Sequence, residues 1–118
     1  MPEPLGDVTM SALHQALSGL ALRQRTIADN VANIETPGFL AGKVDFEDSL
    51  RSTLAAGGDP ATASPTTARS LEPTNTNGNN VNLDDETVIS TETGLRYQLA
   101  LNALDGKYSL LRTALQAS

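Results

Sequence analysis

The sequence predicts an all-α protein in which a long N-terminal helix and a long C-terminal helix pair as an antiparallel, coiled-coil-like hairpin. Large apolar residues recur in alternating steps of three and four towards both ends of the 118-residue chain, as they do in helices that pack along a seam. The stretch between these ends is rich in Gly, Pro, Ser, Thr and Asn, which favours a loop over a third long helix. We expect a single domain over residues 1–118.

The N-terminal helix is predicted over residues 9–36, with Gln24 filling one gap in its heptad pattern. It should end near Thr36, because a following proline disfavours the α conformation in the residue before it. Gly19 lies beside the seam and costs about 1 kcal/mol in helix propensity. It is either a tolerated glycine or a point where another segment approaches closely. The seam residues are Met10, Leu13, Leu17, Leu20, Ile27, Val31 and Ile34.

Residues 37–54 are predicted to form a turn, an extended segment and a short helix. Pro37 and Gly38 supply the fixed φ and the positive φ that a tight turn requires. The chain from Phe39 to Val44 should then be extended. The spacing i, i+4, i+8 of a short amphipathic helix follows at Phe46, Leu50 and Leu54.

Residues 55–80 are predicted to form a flexible central loop. Leu71 is the only large apolar residue in this stretch. Such a segment buries too little apolar surface to offset the entropy of ordering it. We expect a linker, or a loop that becomes ordered against a partner.

The C-terminal helix is predicted over residues 82–116. Asn82 suits the N-cap, and the three acidic residues at 84–86 favour the positive end of the helix dipole. One seam contains Tyr97, Leu101, Leu104, Tyr108, Leu111 and Leu115. A second stripe contains Val88, Leu95, Leu99, Ala103, Gly106 and Leu110, and we include Leu95 among the packing residues. The two together are wider than one partner helix covers.

A two-helix hairpin would therefore leave apolar surface exposed, which indicates self-association. At about 25 cal/mol per Å² of buried apolar area, so thin a core barely offsets the ordering of the chain. Small domains without disulfides or metals usually need oligomerisation. The alternative is a monomer of three helices in which the short helix covers the second stripe.

Composition excludes several other classes of function. The 8 basic and 14 acidic residues give a net charge of -6, which disfavours nucleic acid and anionic lipid. The absence of cysteine excludes disulfides and thiolate metal sites. No apolar run approaches the roughly 18 residues of a membrane span. Residues 1–9 lack the pattern of a cleaved secretory signal, so we expect none.

No group of residues indicates catalysis, a cofactor or a metal, so we predict that the protein is not an enzyme. His14 has no second histidine or carboxylate pair at ligand spacing and should be a surface residue. The acidic residues 84–86 are consecutive, so their side chains point in different directions on a helix. Arg23 and Arg96 are expected to be ordinary solvated charges.

Residues 30–39 resemble the N-x-A-N-x-x-T-P-G-aromatic motif of the flagellar rod and hook protein family. The matching residues are Asn30, Ala32, Asn33, Thr36, Pro37, Gly38 and Phe39. Within that family, residues 43–46, 78–84, 95–98, 103–104 and 111–114 are most similar to the proximal rod proteins. The resemblance covers residues 9–54 and 78–116.

The resemblance implies a structural subunit of the proximal rod of the flagellar basal body, assembling through its terminal helices into a helical tube that transmits torque. Implied partners are further copies, other rod proteins, ring and adaptor proteins at the rod base, and the flagellar type III export apparatus. The implied location is the basal body in the periplasm, after export without a cleaved signal peptide. The alternative is a soluble helical adaptor or export chaperone of the flagellar system.

Overall fold

The computed structural model describes the backbone of residues 5–117 and the side chains of residues 8–117. Over these residues the molecule is elongated, with extents of 66 × 27 × 15 Å. Its elements in chain order are α1 (Leu5–Ala32), β1 (Gly42–Asp45), α2 (Glu47–Ala55), a 3₁₀ turn (Pro60–Thr62), β2 (Thr66–Arg69) and α3 (Leu83–Ala117).

Helices α1 and α3 form the predicted antiparallel hairpin. Contacts run in opposite directions along the two helices: Asn30 is bonded to Glu86, Gln24 to Ser90, and the Leu20 cluster contacts Tyr97. The predicted pairing of two long terminal helices is therefore confirmed.

The prediction of a purely α-helical protein was wrong, because β1 and β2 form a small antiparallel sheet. Gly42 is paired with Arg69 at one end of this ladder and Asp45 with Thr66 at the other. The extended segment before the short helix was predicted, but its partner strand was not. All four residues of β2 are exposed, so β2 carries no alternation of buried and exposed positions. Backbone hydrogen bonds and β-branched threonines hold it in place.

The segment predicted as a flexible loop thus contains two regular elements, the 3₁₀ turn and β2. Pro60 and Ala63 are buried, and Gln15 of α1 donates to the Ala63 carbonyl at 2.7 Å. Small residues and backbone groups therefore anchor this segment along α1 without large apolar side chains.

Helix α1 ends at Ala32, four residues before the predicted end. Asn33 donates its side-chain amide to the Asp29 carbonyl at 2.8 Å, and the Thr36 hydroxyl donates to Asn33 Oδ1 at 3.1 Å. These side-chain bonds favour turns over continued helix. At the other end, α1 extends back to Leu5.

The core lies where α1, β1 and the start of α2 meet. Buried Leu20, Val44 and Phe46 form its centre, with Ala16, Leu22 and Tyr97 packed against them. A Cβ at Gly19 would lie 2.5 Å from carbon atoms of the Phe46 ring. Gly19 is therefore the point of close approach, and the interpretation as a merely tolerated glycine is excluded.

Helix α2 does not cover the second stripe of α3, as the three-helix monomer would require. Val88, Leu95 and Leu99 are 56%, 64% and 68% exposed. The apolar surface of α3 that faces away from α1 thus has no partner within residues 8–117.

Candidate assembly site

Three buried asparagines hold the end of α1, the central segment and the start of α3 together. Asn30, which is 1% exposed, makes the first of these connections. Its Oδ1 accepts from the Gly42 N–H at 2.8 Å, and its Nδ2 donates to the Gly42 carbonyl at 2.9 Å. The same Nδ2 donates to Glu86 Oε1 at 3.1 Å. One side chain therefore joins α1, β1 and α3.

Asn79 and Asn80 make the other two connections. Asn79 Nδ2 donates to the carbonyls of Asn33 and Thr36, both at 2.8 Å. Asn80 Oδ1 accepts from the Ala41 N–H at 2.7 Å. We call Asn30, Asn79 and Asn80 the asparagine junction. An amide that both donates and accepts can satisfy buried backbone groups on two sides, which explains this choice of residue.

The turn after α1 is closed against the junction. Gly38 has a φ of +76°, a region that glycine adopts without a Cβ penalty. Its N–H donates to the Asn77 carbonyl at 2.9 Å. The Arg69 guanidinium lies 5.3 Å from the centre of the half-buried Phe39 ring. Thus the turn is fixed to the segment that precedes α3.

The predicted assembly motif is divided between the interior and the surface. Asn30 is buried, and Asn33 and Phe39 are half-buried. The exposed members are Ala32, Thr36, Pro37 and Gly38. The structure brings the motif together with Asn79 and Asn80. These two residues lie in the family-like segment 78–84, but no role was predicted for them.

Gln24 fills the gap in the α1 seam by pairing with the least apolar part of α3. Its Nε2 donates to the Ser90 carbonyl at 3.0 Å, and the Ser90 hydroxyl donates to Gln24 Oε1 at 3.1 Å. A Cβ at Gly94 would lie 3.8 Å from Gln24 Nε2. Because polar groups in a helix seam satisfy each other in one register only, this pair aligns the two helices.

Arg23, Glu47 and Arg96 form an ion-pair cluster that was not predicted from the sequence. Arg23 donates to both carboxylate oxygens of Glu47, at 2.6 and 2.8 Å. Arg96 donates to Glu47 Oε2 at 2.9 Å. The hydrogen bonds from Arg23 are the main cause that lowers the pKa of Glu47 to about 2, against the opposing effect of burial.

The prediction of a solvated charge was therefore wrong for Arg23, whereas Arg96 pairs with Glu47 but keeps 55% of its side chain exposed. Arg23 also donates to the Val44 carbonyl at 2.8 Å and lies 4.9 Å from the centre of the Phe46 ring. Glu47 is 24 positions from one arginine and 49 from the other. Local spacing carries no signal for contacts between residues so far apart.

The predicted seam residues are buried to different degrees along the hairpin. Leu20, Ile27 and Leu104 are buried, and Leu13, Leu17, Ile34, Tyr97 and Leu101 are half-buried. Val31, Leu95, Tyr108 and Leu111 are exposed. The hairpin thus covers the middle of the seam and leaves its ends and Leu95 open.

An apolar surface runs along the side of α3 that faces away from α1. It consists of Val88, Leu95, Leu99 and Leu110, each 56–68% exposed, and we call it the outer stripe. Its length, from residue 88 to 110, is about 33 Å at 1.5 Å per residue. Leu115, which is 75% exposed, lies beyond its end. Large apolar side chains exposed along one face of a helix are typical of an interaction surface.

The described residues give no sign of a metal site or of a membrane-spanning helix. No group of three His, Cys, Asp or Glu side chains within residues 8–117 is placed to hold a metal ion. His14 is exposed on α1. None of the described helices combines the length and apolarity needed to cross a membrane.

A helical hairpin with a buried polar junction and an exposed apolar stripe is typical of proteins that assemble through their helices. A family model described as "Flagella basal body rod protein" matches residues 7–39. The chain is 30% identical to the flagellar basal body rod protein FlgB of Escherichia coli K12, over 94% of this chain and 95% of that protein. It is 29% identical to FlgB of Bacillus subtilis, over 91% and 92%. A shorter match to FlgB of Borreliella burgdorferi is 51% identical over 37 residues.

The chain belongs to the FlgB family of flagellar basal body rod proteins. The family resemblance found in residues 30–39 is thereby confirmed. Membership places the chain in a family of structural flagellar proteins, and nothing in the comparisons favours the adaptor or chaperone alternative.

Proposed function

We propose that the chain is a structural subunit of the proximal rod, assembling through α1 and α3 with neighbouring subunits into a helical tube that transmits torque. The observation that carries this proposal is the outer stripe on α3. Val88, Leu95, Leu99 and Leu110 have the spacing of a helix seam, yet the chain's own helices leave them exposed. A second helix of a neighbouring subunit is the natural complement of such a surface.

Burial of the outer stripe against a neighbouring subunit contributes favourably to the free energy of association. Full burial of a Val or Leu side chain contributes about 1.5–3 kcal/mol. Because the four side chains are already partly covered, their further burial contributes roughly 4–7 kcal/mol before the entropic cost of association. Contacts with several neighbours would multiply this contribution, as a helical assembly allows.

The asparagine junction supports the same function by making the subunit rigid. A subunit that transmits torque must pass force between helices without local unfolding. Asn30, Asn79 and Asn80 cross-link three segments through buried and partly buried hydrogen bonds, and a satisfied polar network of this kind makes a fold more rigid. The junction therefore fixes the relative positions of the surfaces that neighbours contact.

The partners we propose are further copies of the chain, other rod proteins, ring and adaptor proteins at the rod base, and the flagellar export apparatus. The proposed location is the periplasmic part of the basal body. The flagellar identity of the FlgB relatives supports both.

The proposal is tested by placing a charge in the outer stripe. Leu99→Glu changes a side chain that is 68% exposed, so the isolated chain should fold as before. Motility and recovery of the protein in purified basal bodies should both be lost. Gln98→Glu is the matched control, since it adds the same charge about 100° around the helix, on the polar side. Motile cells with normal rods carrying Leu99→Glu would refute assembly through this surface.

A further inference from the structure

Glu86 carries a buried carboxylate, and only one of its two oxygens has a hydrogen-bond partner within residues 8–117. It lies in the first turn of α3 and is 6% exposed. Its Oε1 accepts from Asn30 Nδ2 at 3.1 Å. Its Oε2 is buried and has no hydrogen-bond partner within residues 8–117. A buried charged oxygen without a donor costs more than a neutral one, so its retention calls for a functional reason.

Glu86 lines a cavity of about 370 Å³ between the start of α3, β1 and the segment that precedes α3. This volume is in the range of about 300–1,000 Å³ that ligand sites occupy. The carboxylates of Glu72 and Asp85 also line the cavity, with Lys43 as its only basic residue among the described lining. Three acidic groups against one basic group make the cavity attractive to a cation.

The chain's own cations do not pair with Glu86 in the described structure. Arg23 lines a smaller neighbouring cavity of about 100 Å³ but is bonded to Glu47 and to the Val44 carbonyl. Lys43 lies at an exposed position of β1, where Gly42 and Val44 occupy the buried positions. Glu86 Oε2 therefore has no cationic partner among the side chains of residues 8–117.

We propose that Glu86 receives the guanidinium or ammonium group of an arginine or lysine side chain presented by a neighbouring rod subunit. This inference rests on the proposed function, which supplies the neighbour. A side chain suits the site better than a metal ion, because residues 8–117 hold no group of three metal-ligating side chains. The net charge of -6 also favours a basic partner surface.

The position of Glu86 would couple this contact to the asparagine junction. Asn30 orients the carboxylate through Oε1 and is itself held by two bonds to Gly42. A cation on Oε2 would complete the hydrogen bonding of the carboxylate. It would thereby stabilise the hydrogen bonds through which Asn30 joins α1, β1 and α3. Docking of a neighbour would then stiffen the subunit at the point where it must carry load.

A purely structural role and a receptor role predict opposite effects for Glu86→Gln. The glutamine Oε1 still accepts from Asn30, while the buried charge disappears. If Glu86 serves a partner, the isolated Glu86→Gln chain should have a higher Tm than the wild type, because a buried unpaired charge has been removed. If Glu86 only stabilises the fold, Tm should fall. Asp84→Asn is the matched control, since it removes one charge from the same helical turn at an exposed position outside the cavity.

Binding is tested on the full chain by NMR titration with methylguanidinium, using methylurea at equal concentration as the neutral planar probe and sodium chloride to match ionic strength. Methylguanidinium should shift the Asn30 side-chain amide and the Glu86 backbone amide saturably in the wild type and in Asp84→Asn. Glu86→Gln should weaken this binding at least tenfold. Equal shifts with methylurea, no saturable shift, or unchanged binding in Glu86→Gln would each overturn the proposal.

The same variants separate this inference from the proposed function in cells. Glu86→Gln should reduce swimming and rod recovery at least severalfold despite its higher Tm, whereas Asp84→Asn should swim normally. Normal motility of Glu86→Gln would overturn the cation receptor and leave assembly through the outer stripe intact. Failure of the proposed function would appear instead as normal motility of Leu99→Glu.

Discussion

Asn30→Ala is the substitution with the largest predicted effect on the fold. The alanine cannot replace the hydrogen bonds to the N–H and carbonyl of Gly42, which is itself buried, or the bond to Glu86. Leaving a buried polar group unsatisfied costs about 1–3 kcal/mol. With two backbone groups and one carboxylate affected, we expect the free energy of unfolding to fall by about 3–5 kcal/mol.

Asn30→Asp tests the same reasoning without a change of shape. The aspartate still accepts from the Gly42 N–H, but an oxygen replaces the amide nitrogen that faces the Gly42 carbonyl and Glu86 Oε1. Three acceptors then meet without a donor between them. The loss of stability should therefore be comparable to that of Asn30→Ala.

Urea unfolding followed by helical circular dichroism measures both effects. Asn33→Ala is the control, because within residues 8–117 the Asn33 side chain forms only exposed hydrogen bonds, to Asp29 and Thr36, and their loss should cost about 0.5–1 kcal/mol. The reasoning would be refuted if Asn30→Asp were as stable as the wild type, or if Asn33→Ala cost as much as Asn30→Ala.

Two further predictions concern packing and pH. Gly19→Ala should destabilise the chain by about 1–3 kcal/mol, because the new Cβ meets the Phe46 ring. Gly106→Ala, with no atom within 4 Å of the new Cβ, should stabilise it by up to about 1 kcal/mol in the same unfolding assay. Since the pKa of Glu47 is lowered from 4.5 to about 2, its contribution to stability should be complete above pH 4.5 and lost as pH falls towards 2.

Comparisons between variants of this chain serve as the controls for these predictions. If Gly19→Ala stabilised the chain as Gly106→Ala is expected to do, helix propensity would outweigh contact with the Phe46 ring. For the pH effect, Glu47→Gln should be less stable than the wild type at neutral pH and equally stable near pH 2. A constant difference across that range would show that the ion pair does not contribute.

The two long helices were predictable because their signals are local. Apolar spacing in steps of three and four marks α1 and α3 whatever the distant parts of the chain do. The turn at Pro37 and Gly38 is likewise encoded by the φ preferences of those two residues. The sheet was not predictable, because β2 is an exposed four-residue strand whose place depends on its partner.

The asparagine junction and the ion-pair cluster could not be predicted from local sequence patterns either, because their contacts join residues far apart in the sequence. Asn79 bonds to Asn33, 46 positions away, and Asn80 bonds to Ala41, 39 positions away, while Asn30 and Glu86 are 56 positions apart. A buried amide and an exposed amide are identical letters in the sequence. Only the contacts of the folded chain show which one cross-links segments.

By itself the sequence determined the class of this protein: helical ends with more apolar surface than one hairpin buries, a family motif at residues 30–39, and a composition that disfavours other chemistry. The folded structure shows which apolar residues stay exposed, which asparagines are buried, and that Glu86 Oε2 lacks a donor within residues 8–117. The physical reason is that periodicity and turn chemistry act over a few residues. Burial and hydrogen-bond pairing, in contrast, are settled between segments that meet only in the folded state.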